Sequence, residues 1–265
     1  MEHKMTKELV DTFIQDLELD PSNQRAFVSL KVALLKTYNE KVTAIIPSKS
    51  NTSGLITVVE SLMTDSAVEQ IVVVADGNEA LERYRELMYQ YPKVLLTHVR
   101  LGSGIHVMWN IGLNIARGHG NTPIFINDDI IPGPNSCGLL AALLAHNSEY
   151  GVICPDYDGR VFTELVHPVS EVCGARYDGT GGLGGFFMAL NKNLAKEFTF
   201  DERMKWYYGD DDIMRWCKSK DCIAGIARVA TCRGNTSFTI IHDRPENFNE
   251  DTMNDERIFR AKWGL

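Results

Sequence analysis

The sequence predicts an α/β domain with a largely parallel central sheet covered by helices on both faces. Short β-branched runs recur at residues 42–46, 71–74, 94–99 and 124–126. Each of the first three is followed by a segment with apolar residues at helical spacing. Such alternation marks βαβ units, because parallel strands need a crossover between them. Composition agrees: 44% hydrophobic and 23% charged residues over 265 positions suit a folded chain with a conventional core.

Residues 5–37 read as two helical segments broken at Asp20-Pro21. Leu9, Phe13, Ile14 and Leu17 stripe the first; Phe27, Leu30, Leu34 and Leu35 stripe the second. Residues 1–40 show no chemistry, so they form a helical extension packed on the main domain and available for homo-oligomer contacts. From residue 41 the strands begin. Helices are expected over 53–63, with Ser53 at the cap, over 79–91, and over 105–116. Further on, 138–146 reads as a helix, 151–155 as a strand and 156–185 as a long loop ending in a glycine-rich stretch. A helix starts near Asp210, and 226–231 and 238–241 read as final strands.

Parallel sheets bind ligands beyond the carboxyl ends of their strands, which directs attention to 47–51, 75–78, 100–104 and 127–132. Pro47 and Ser48 break the first strand into a polar loop. Asp76 ends the second, either as a turn residue or as an acceptor for a base or ribose. Asp128 and Asp129 follow an apolar strand directly, and adjacent acids there imply a cation such as Mg²⁺ or Mn²⁺. A second acidic cluster, Gly209-Asp210-Asp211-Asp212, follows Trp206, Tyr207 and Tyr208. Acids suit a helix's first turn, but repulsion among three raises a pKa and favours a general base, with the aromatics as a stacking platform. His242 follows the run 238–241.

Residues 42–243 taken in order resemble a family-2-type glycosyltransferase of the GT-A fold, a Rossmann-like nucleotide-binding architecture with a mixed, mostly parallel sheet. VTAIIPSKSN is similar to that family's first strand, and VEQIVVVADGN to its second. GIHVMWNIGLNIARGHGNTPIFINDDI resembles its Arg-Asn-x-Gly helix and the strand ending in Asp-x-Asp. GGLGGFFMALNK and FTFDERMKWYYGDDDIMRW resemble its acceptor-side glycines and Glu-Asp helix start. The resemblance divides residues 41–265 into a nucleotide-sugar-binding half (41–135) and an acceptor-binding half (136–265). It implies a hexosyltransferase-type enzyme moving a sugar, with inversion, from a nucleotide-diphospho-sugar, a UDP-sugar favoured, with Mn²⁺ or Mg²⁺. Pro47, Ser48, Asp76, Asn110 and Asp128 would meet the donor, and Asp129 and His242 the metal. Gly184, Gly185, Trp206 and Tyr207 would meet the acceptor. Asp211 is the expected base, with Asp210 next to it in register. Asn127 stands where the family has the first acid of Asp-x-Asp, Ala75 where it has the first acid of the second strand, and Trp109 where it has an arginine.

Two other functions compete with this one. A nucleotidyltransferase would need a glycine-rich basic phosphate loop, and residues 47–54 carry one lysine and one glycine. A non-catalytic nucleotide-sugar-binding module would fit Asn127 and Ala75 but leaves the acidic triplet without a purpose. The formal charge of −8 argues against a generally basic surface, which makes modified DNA the less favoured acceptor beside glycan, protein or small molecule. No apolar run reaches the ~20 residues of a membrane span, and the first residues lack a signal core. The expected location is cytoplasmic, in a host cell if the protein is one of the phage-encoded transferases that the short architecture also resembles. Cys137, Cys154, Cys173, Cys217, Cys222 and Cys232 show no Cys-x-x-Cys pair and read as reduced thiols.

Overall fold

A computed structural model describes residues 6–157, 164–169, 183–234 and 246–265. The chain opens with α1 (Lys7–Leu19) and α2 (Gln24–Thr37), the latter capped by the Asn23 side chain accepting the Ala26 N–H at 3.0 Å. Three βα units follow: β1 (Val42–Ser48), α3 (Thr52–Thr64), β2 (Val68–Asp76), α4 (Asn78–Gln90), β3 (Val94–Val99) and α5 (Ile105–His119). The cap of α3 is Asn51, whose side chain accepts the Gly54 N–H at 3.1 Å, and not Ser53 as the sequence suggested. Asparagine accepts into the first turn as well as serine does, so composition alone left the cap one turn position uncertain.

The chain continues through β4 (Thr122–Ile126), β5 (Ile130–Pro132), α6 (Ser136–His146), β6 (Tyr150–Tyr157), β7 (Val166–Pro168), β8 (Phe187–Leu190), α7 (Gly209–Ser219), β9 (Ile223–Gly234) and α8 (Phe248–Trp263). β7 lies inside the stretch expected to be loop, and α8 has no counterpart in the sequence reading. The strand expected at 238–241 falls outside the described residues.

Among the described residues the sheet has nine strands, in the order β3-β2-β1-β4-β8-β6-β9-β5, with β7 on β9. β3, β2, β1 and β4 are mutually parallel, β8 enters antiparallel, and β6 and β9 are parallel to each other. Strand alternation splits the core cleanly. Ala44, Ile46, Ile71, Val73, Ile124 and Ile126 join α3, α4 and α6 on one face. Ile45 and Phe125, one residue out of step, join α5 and α7 on the other. Burial on both faces explains why these strands read as continuous apolar runs.

α6 is apolar around its circumference because it lies between the sheet and the α1–α2 pair. Tyr38 and Asp11 reach His146 at its end, at 2.9 and 3.2 Å. Cys137, Cys154, Cys217 and Cys232 are buried free thiols and Cys222 is partly exposed; Cys173 lies outside the described residues.

After β3 the chain returns to place β4 on the far side of β1. That reversal opens a crevice beyond the carboxyl ends of β1 and β4, the usual ligand position in such sheets. Pro47, Ser48, Asn127, Asp128 and Asp129 all sit there.

Candidate active site

A cleft of about 330 Å³ occupies that crevice. One wall is built by the strand ends and the start of α5: Pro47, Ser48, Lys49, Asp76, Gly104, Met108 and residues 127–130. The facing wall carries Tyr157, Gly185, Phe186, residues 206–210 and Phe248. The walls are tied together at their base by the Asn127 N–H donating to the Phe186 carbonyl at 2.9 Å.

On the first wall Ser48 donates to Asp128 Oδ2 at 2.6 Å and lies 2.8 Å from the Tyr84 hydroxyl. The Asn51 amide donates to the Asp128 carbonyl at 3.1 Å, so one residue serves as helix cap and as loop anchor. Burial raises the Asp128 pKa to about 7, with the neighbouring Asp129 adding to the effect and the Ser48 hydrogen bond opposing it. Burial likewise pushes the Tyr84 hydroxyl up to about 12. Asp76 is buried and accepts the Gly102 N–H at 2.8 Å, which places it where the loop after β3 folds back over β2. Gly77 and Gly104 precede α4 and α5 with φ of +92°, a conformation that L side chains rarely adopt.

On the facing wall α7 starts abruptly. Tyr208 adopts φ +67°, held by stacking on Phe259 with ring centroids 5.0 Å apart, and Gly209 follows it. The three acids then point in three directions, as consecutive helical residues must. Asp210 lines the cleft, and its carboxylate accepts the Asp211 N–H at 3.1 Å. Burial raises its pKa against the backbone hydrogen bonds, including one from Gly185, that lower it. A Cβ on Gly185 would lie 2.8 Å from Asp210 Oδ2, so only glycine lets the backbone approach this carboxylate. Asp211 is buried and absent from the cleft lining. Asp212 is fully buried and holds Lys262 Nζ at 2.7 Å and the Trp263 indole N–H at 2.9 Å.

The sequence-expected residues therefore separate. Pro47, Ser48, Asp76, Asp128, Asp129, Gly185, Trp206, Tyr207 and Asp210 come together around one cleft. Asn110 does not: its amide pairs with both backbone groups of Phe200 at 3.0 Å and donates to Glu202 at 2.9 Å. It braces the segment leading to Trp206. Gly184 sits beside the cleft, packed against the Phe186 ring. His242 lies outside the described residues. Lys49 lies within the flagged loop 47–51 without having been singled out, and Tyr157, Phe186 and Phe248 were missed as lining residues. The first follows Ser48 directly and was within reach, but the aromatics arrive from β6, the β8 approach and α8, whose convergence no local pattern encodes.

Two orphaned polar atoms mark the cleft. Among the described residues, Asn127 Oδ1 and the Trp109 indole N–H are buried with no hydrogen-bond partner. A third orphan lies just beneath: His106 is fully buried, with Nδ1 2.6 Å from the Met204 carbonyl and Nε2 unpartnered. Burial lowers its pKa against Asp255, Asp212 and Asp201, which raise it. An unfolded histidine takes up a proton near about pH 6.5, whereas the folded one resists until a lower pH. Below about pH 6.5 the unfolded state therefore binds the extra proton and stability falls as pH drops through that window. The expected result is that wild type loses more urea resistance between about pH 7.5 and pH 5.5 than His106→Gln does, and equal losses would remove His106 as the cause.

No family model and no curated protein sequence matches the chain. Solved structures do. The chain is similar to S. aureus TarS at 15% identity and a TM-score of 0.57, over 84% of this chain and 39% of that one. The 1–349 portion of TarS matches at 15% and 0.56, covering 84% of this chain and 65% of that one. The mannosyltransferase PcManGT from Pyrobaculum calidifontis, in complex with GDP-Man and Mn²⁺, matches at 14% and 0.57, over 97% of this chain and 72% of that one. The chain spans well under two thirds of the first of these TarS chains. What these likenesses share with the sheet order and the switch-point cleft is architecture: the chain has a mixed α/β, mostly parallel fold of the GT-A glycosyltransferase type.

Proposed function

We propose that this protein transfers a sugar, with inversion, from a nucleotide-diphospho-sugar to an acceptor hydroxyl. The observation that carries the reading is the juxtaposition in one cleft of Ser48, Asp76, Asp128 and Asp129 on one wall with Asp210 and the aromatics on the other. A GT-A-type neighbour solved with a nucleotide sugar and Mn²⁺ supports it.

The residues present suit a divalent cation. Asp129 and the orphaned Oδ1 of Asn127 are oxygen donors at the cleft, the ligand type that Mn²⁺ and Mg²⁺ prefer. Among the described residues no cluster of three His, Cys, Asp or Glu side chains forms a site. Asp129 and Asn127 would thus hold the ion together with donor oxygens, and with His242 if it joins them. When bound, the cation supplies charge neutralisation for the departing diphosphate.

The chain's own residues do the rest. Asp76 receives the nucleoside at the ends of β2 and β3. Ser48, itself bonded to the Tyr84 hydroxyl, holds Asp128 in place against the donor. Asp210 takes the proton of the attacking acceptor hydroxyl, its raised pKa making it a stronger base than an ordinary carboxylate. Trp206 and Tyr207 align the acceptor, which supplies rate by positioning. No helix among the described residues is long and apolar enough to cross a membrane, so the acceptor is reached without a membrane-spanning helix in those residues.

A donor-hydrolysis screen across UDP-, GDP- and CDP-sugars with Mn²⁺ tests the class directly. Calorimetry of the matching nucleoside diphosphate tests the cation: affinity should rise with Mn²⁺, and Asp129→Ala should remove most of the rise. Equal affinity in EDTA and in Mn²⁺ would sink the cation's role, and failure to turn over any nucleotide sugar would sink the reaction class.

A further inference from the structure

Of α8 only its first residue, Phe248, lines the cleft, yet between Phe248 and Phe259 the inward face of that helix carries two acids. Asp255 is fully buried. Its carboxylate accepts the backbone N–H groups of Lys205 at 2.8 Å, Trp206 at 2.8 Å and Tyr207 at 3.0 Å. Three successive amides converge on one anion, a geometry that backbone nests elsewhere offer to phosphate. One turn earlier, Asp251 holds Lys205 Nζ at 3.0 Å and accepts the Trp206 indole N–H at 3.4 Å.

The other side of the same loop is held by α5. The Ile105 N–H donates to the Lys205 carbonyl at 2.7 Å, and His106 Nδ1 donates to the Met204 carbonyl. At Gly104 a Cβ would come within 2.9 Å of the Lys205 backbone. Residues 204–207 are therefore gripped between α5, on the donor wall, and α8. The Trp206 and Tyr207 rings lean on Phe248 with centroids 6.2 and 5.7 Å away. Apolar packing alone leaves a loop free to slide, whereas a buried carboxylate must keep its donors and so fixes the peptide planes that carry them.

We infer that Asp251 and Asp255 are positioning residues that set the pose of Trp206 and Tyr207, and so select acceptors presenting a flat sugar or aromatic face for stacking. The acceptor part rests on the glycosyltransferase reading; the positioning part does not. Asp255 fixes the backbone and Asp251 the indole. Their carboxylates bond residues 205–207.

The chain has four tryptophans, Trp109, Trp206, Trp216 and Trp263, which permits a direct test by 5-fluorotryptophan labelling and fluorine NMR, with Trp206→Phe assigning its resonance. Asp251→Ala is expected to shift or broaden the Trp206 signal and leave Trp109 and Trp216 in place. Trp263 sits on α8 and bonds to Asp212, so its unchanged signal reports that the helix stays docked. With the preferred donor and p-nitrophenyl glycosides as acceptor probes, the acceptor KM should rise on the order of tenfold in Asp251→Ala and Asp255→Asn, while donor hydrolysis stays within about twofold. Asp255→Glu keeps the charge, displaces it by one methylene and should fall between. If Asp255→Asn does not fold, Asp251→Ala carries the test, since its carboxylate side chain is already 19% exposed. An unmoved Trp206 signal, or a shift of all four together with loss of donor hydrolysis, would overturn the inference. Should the wild type hydrolyse no nucleotide sugar, the reaction class fails by itself, and the fluorine spectra still decide the positioning.

Discussion

Asp210→Asn is expected to slow sugar transfer by roughly 10²–10⁴-fold, the usual loss when a positioned base is removed. The variant keeps the shape of the side chain and the amide oxygen that accepts the Asp211 N–H, so the start of α7 stays formed. Donor affinity should remain within a few-fold of wild type, roughly the scatter of a surface change, because the residues proposed to meet the diphosphate lie on the opposite wall. The pH profile gives a second reading of the same group. Burial holds the Asp210 pKa above its ordinary value, so the acid limb of kcat/KM should fall at a higher pH than an exposed carboxylate would give. Asp211→Asn is the control. Asp211 is buried away from the cleft lining, and its loss should leave transfer nearly intact. Transfer by Asp210→Asn at wild-type rate, or a larger loss in Asp211→Asn, would move the base one residue along the helix.

That Asp210 lines the cleft and Asp211 does not shows what the sequence could and could not encode. The parallel half was legible because its strands are buried on both faces and its helices carry apolar stripes, as in α4, where Tyr84 and Leu87 of the expected stripe are buried although Met88 is exposed. The strand-end acids were legible too, since an acid directly after an apolar strand falls at the crevice wherever the sheet is parallel. Which member of the 210–212 triplet faces the cleft was not. That depends on where α7 begins, and α7 begins where Tyr208 takes a left-handed turn against Phe259, about fifty residues downstream. α8 escaped notice for a related reason. Along its inward face two acids, Asp251 and Asp255, stand between Phe248 and Phe259, so the helix carries no continuous apolar stripe. Asp255 is buried because it binds three backbone N–H groups and Asp251 faces inward to the Lys205 and Trp206 side chains, causes that lie in another segment. Asn110 erred in the opposite direction: it was visible in a helix resembling a known motif, but its amide completes the backbone of Phe200 instead of facing a ligand.

Phe200 itself anchors the facing wall, and Phe200→Ala is expected to destabilise the protein by about 3–5 kcal/mol, the range for deleting a buried aromatic. The ring is 1% exposed and lies among Phe198, Trp109 and Phe125 at centroid distances of 4.7, 4.9 and 5.0 Å. It also stacks on His106 at 5.8 Å with planes 5° apart. Two of these contacts, with Phe125 and Phe198, are edge-on, the arrangement that aromatic quadrupoles favour. Loss of the ring opens a cavity beneath both walls at once, because Trp109 belongs to α5, Phe125 to β4, and His106 holds the Met204 carbonyl that begins the aromatic loop. The Asn110 amide still binds the backbone of residue 200 in the variant, so the segment stays attached while its packing is lost. The expected signature is a lower urea midpoint with an unchanged m-value. At temperatures where the variant remains folded, transfer should fall more than donor affinity does, since the donor wall keeps its own core of Val72, Val74, Val99 and Met108 on that face. A loss of less than about 1 kcal/mol would mean that neighbouring rings collapse into the space, and the wall would then owe its position to Asn110 and α8 rather than to this ring.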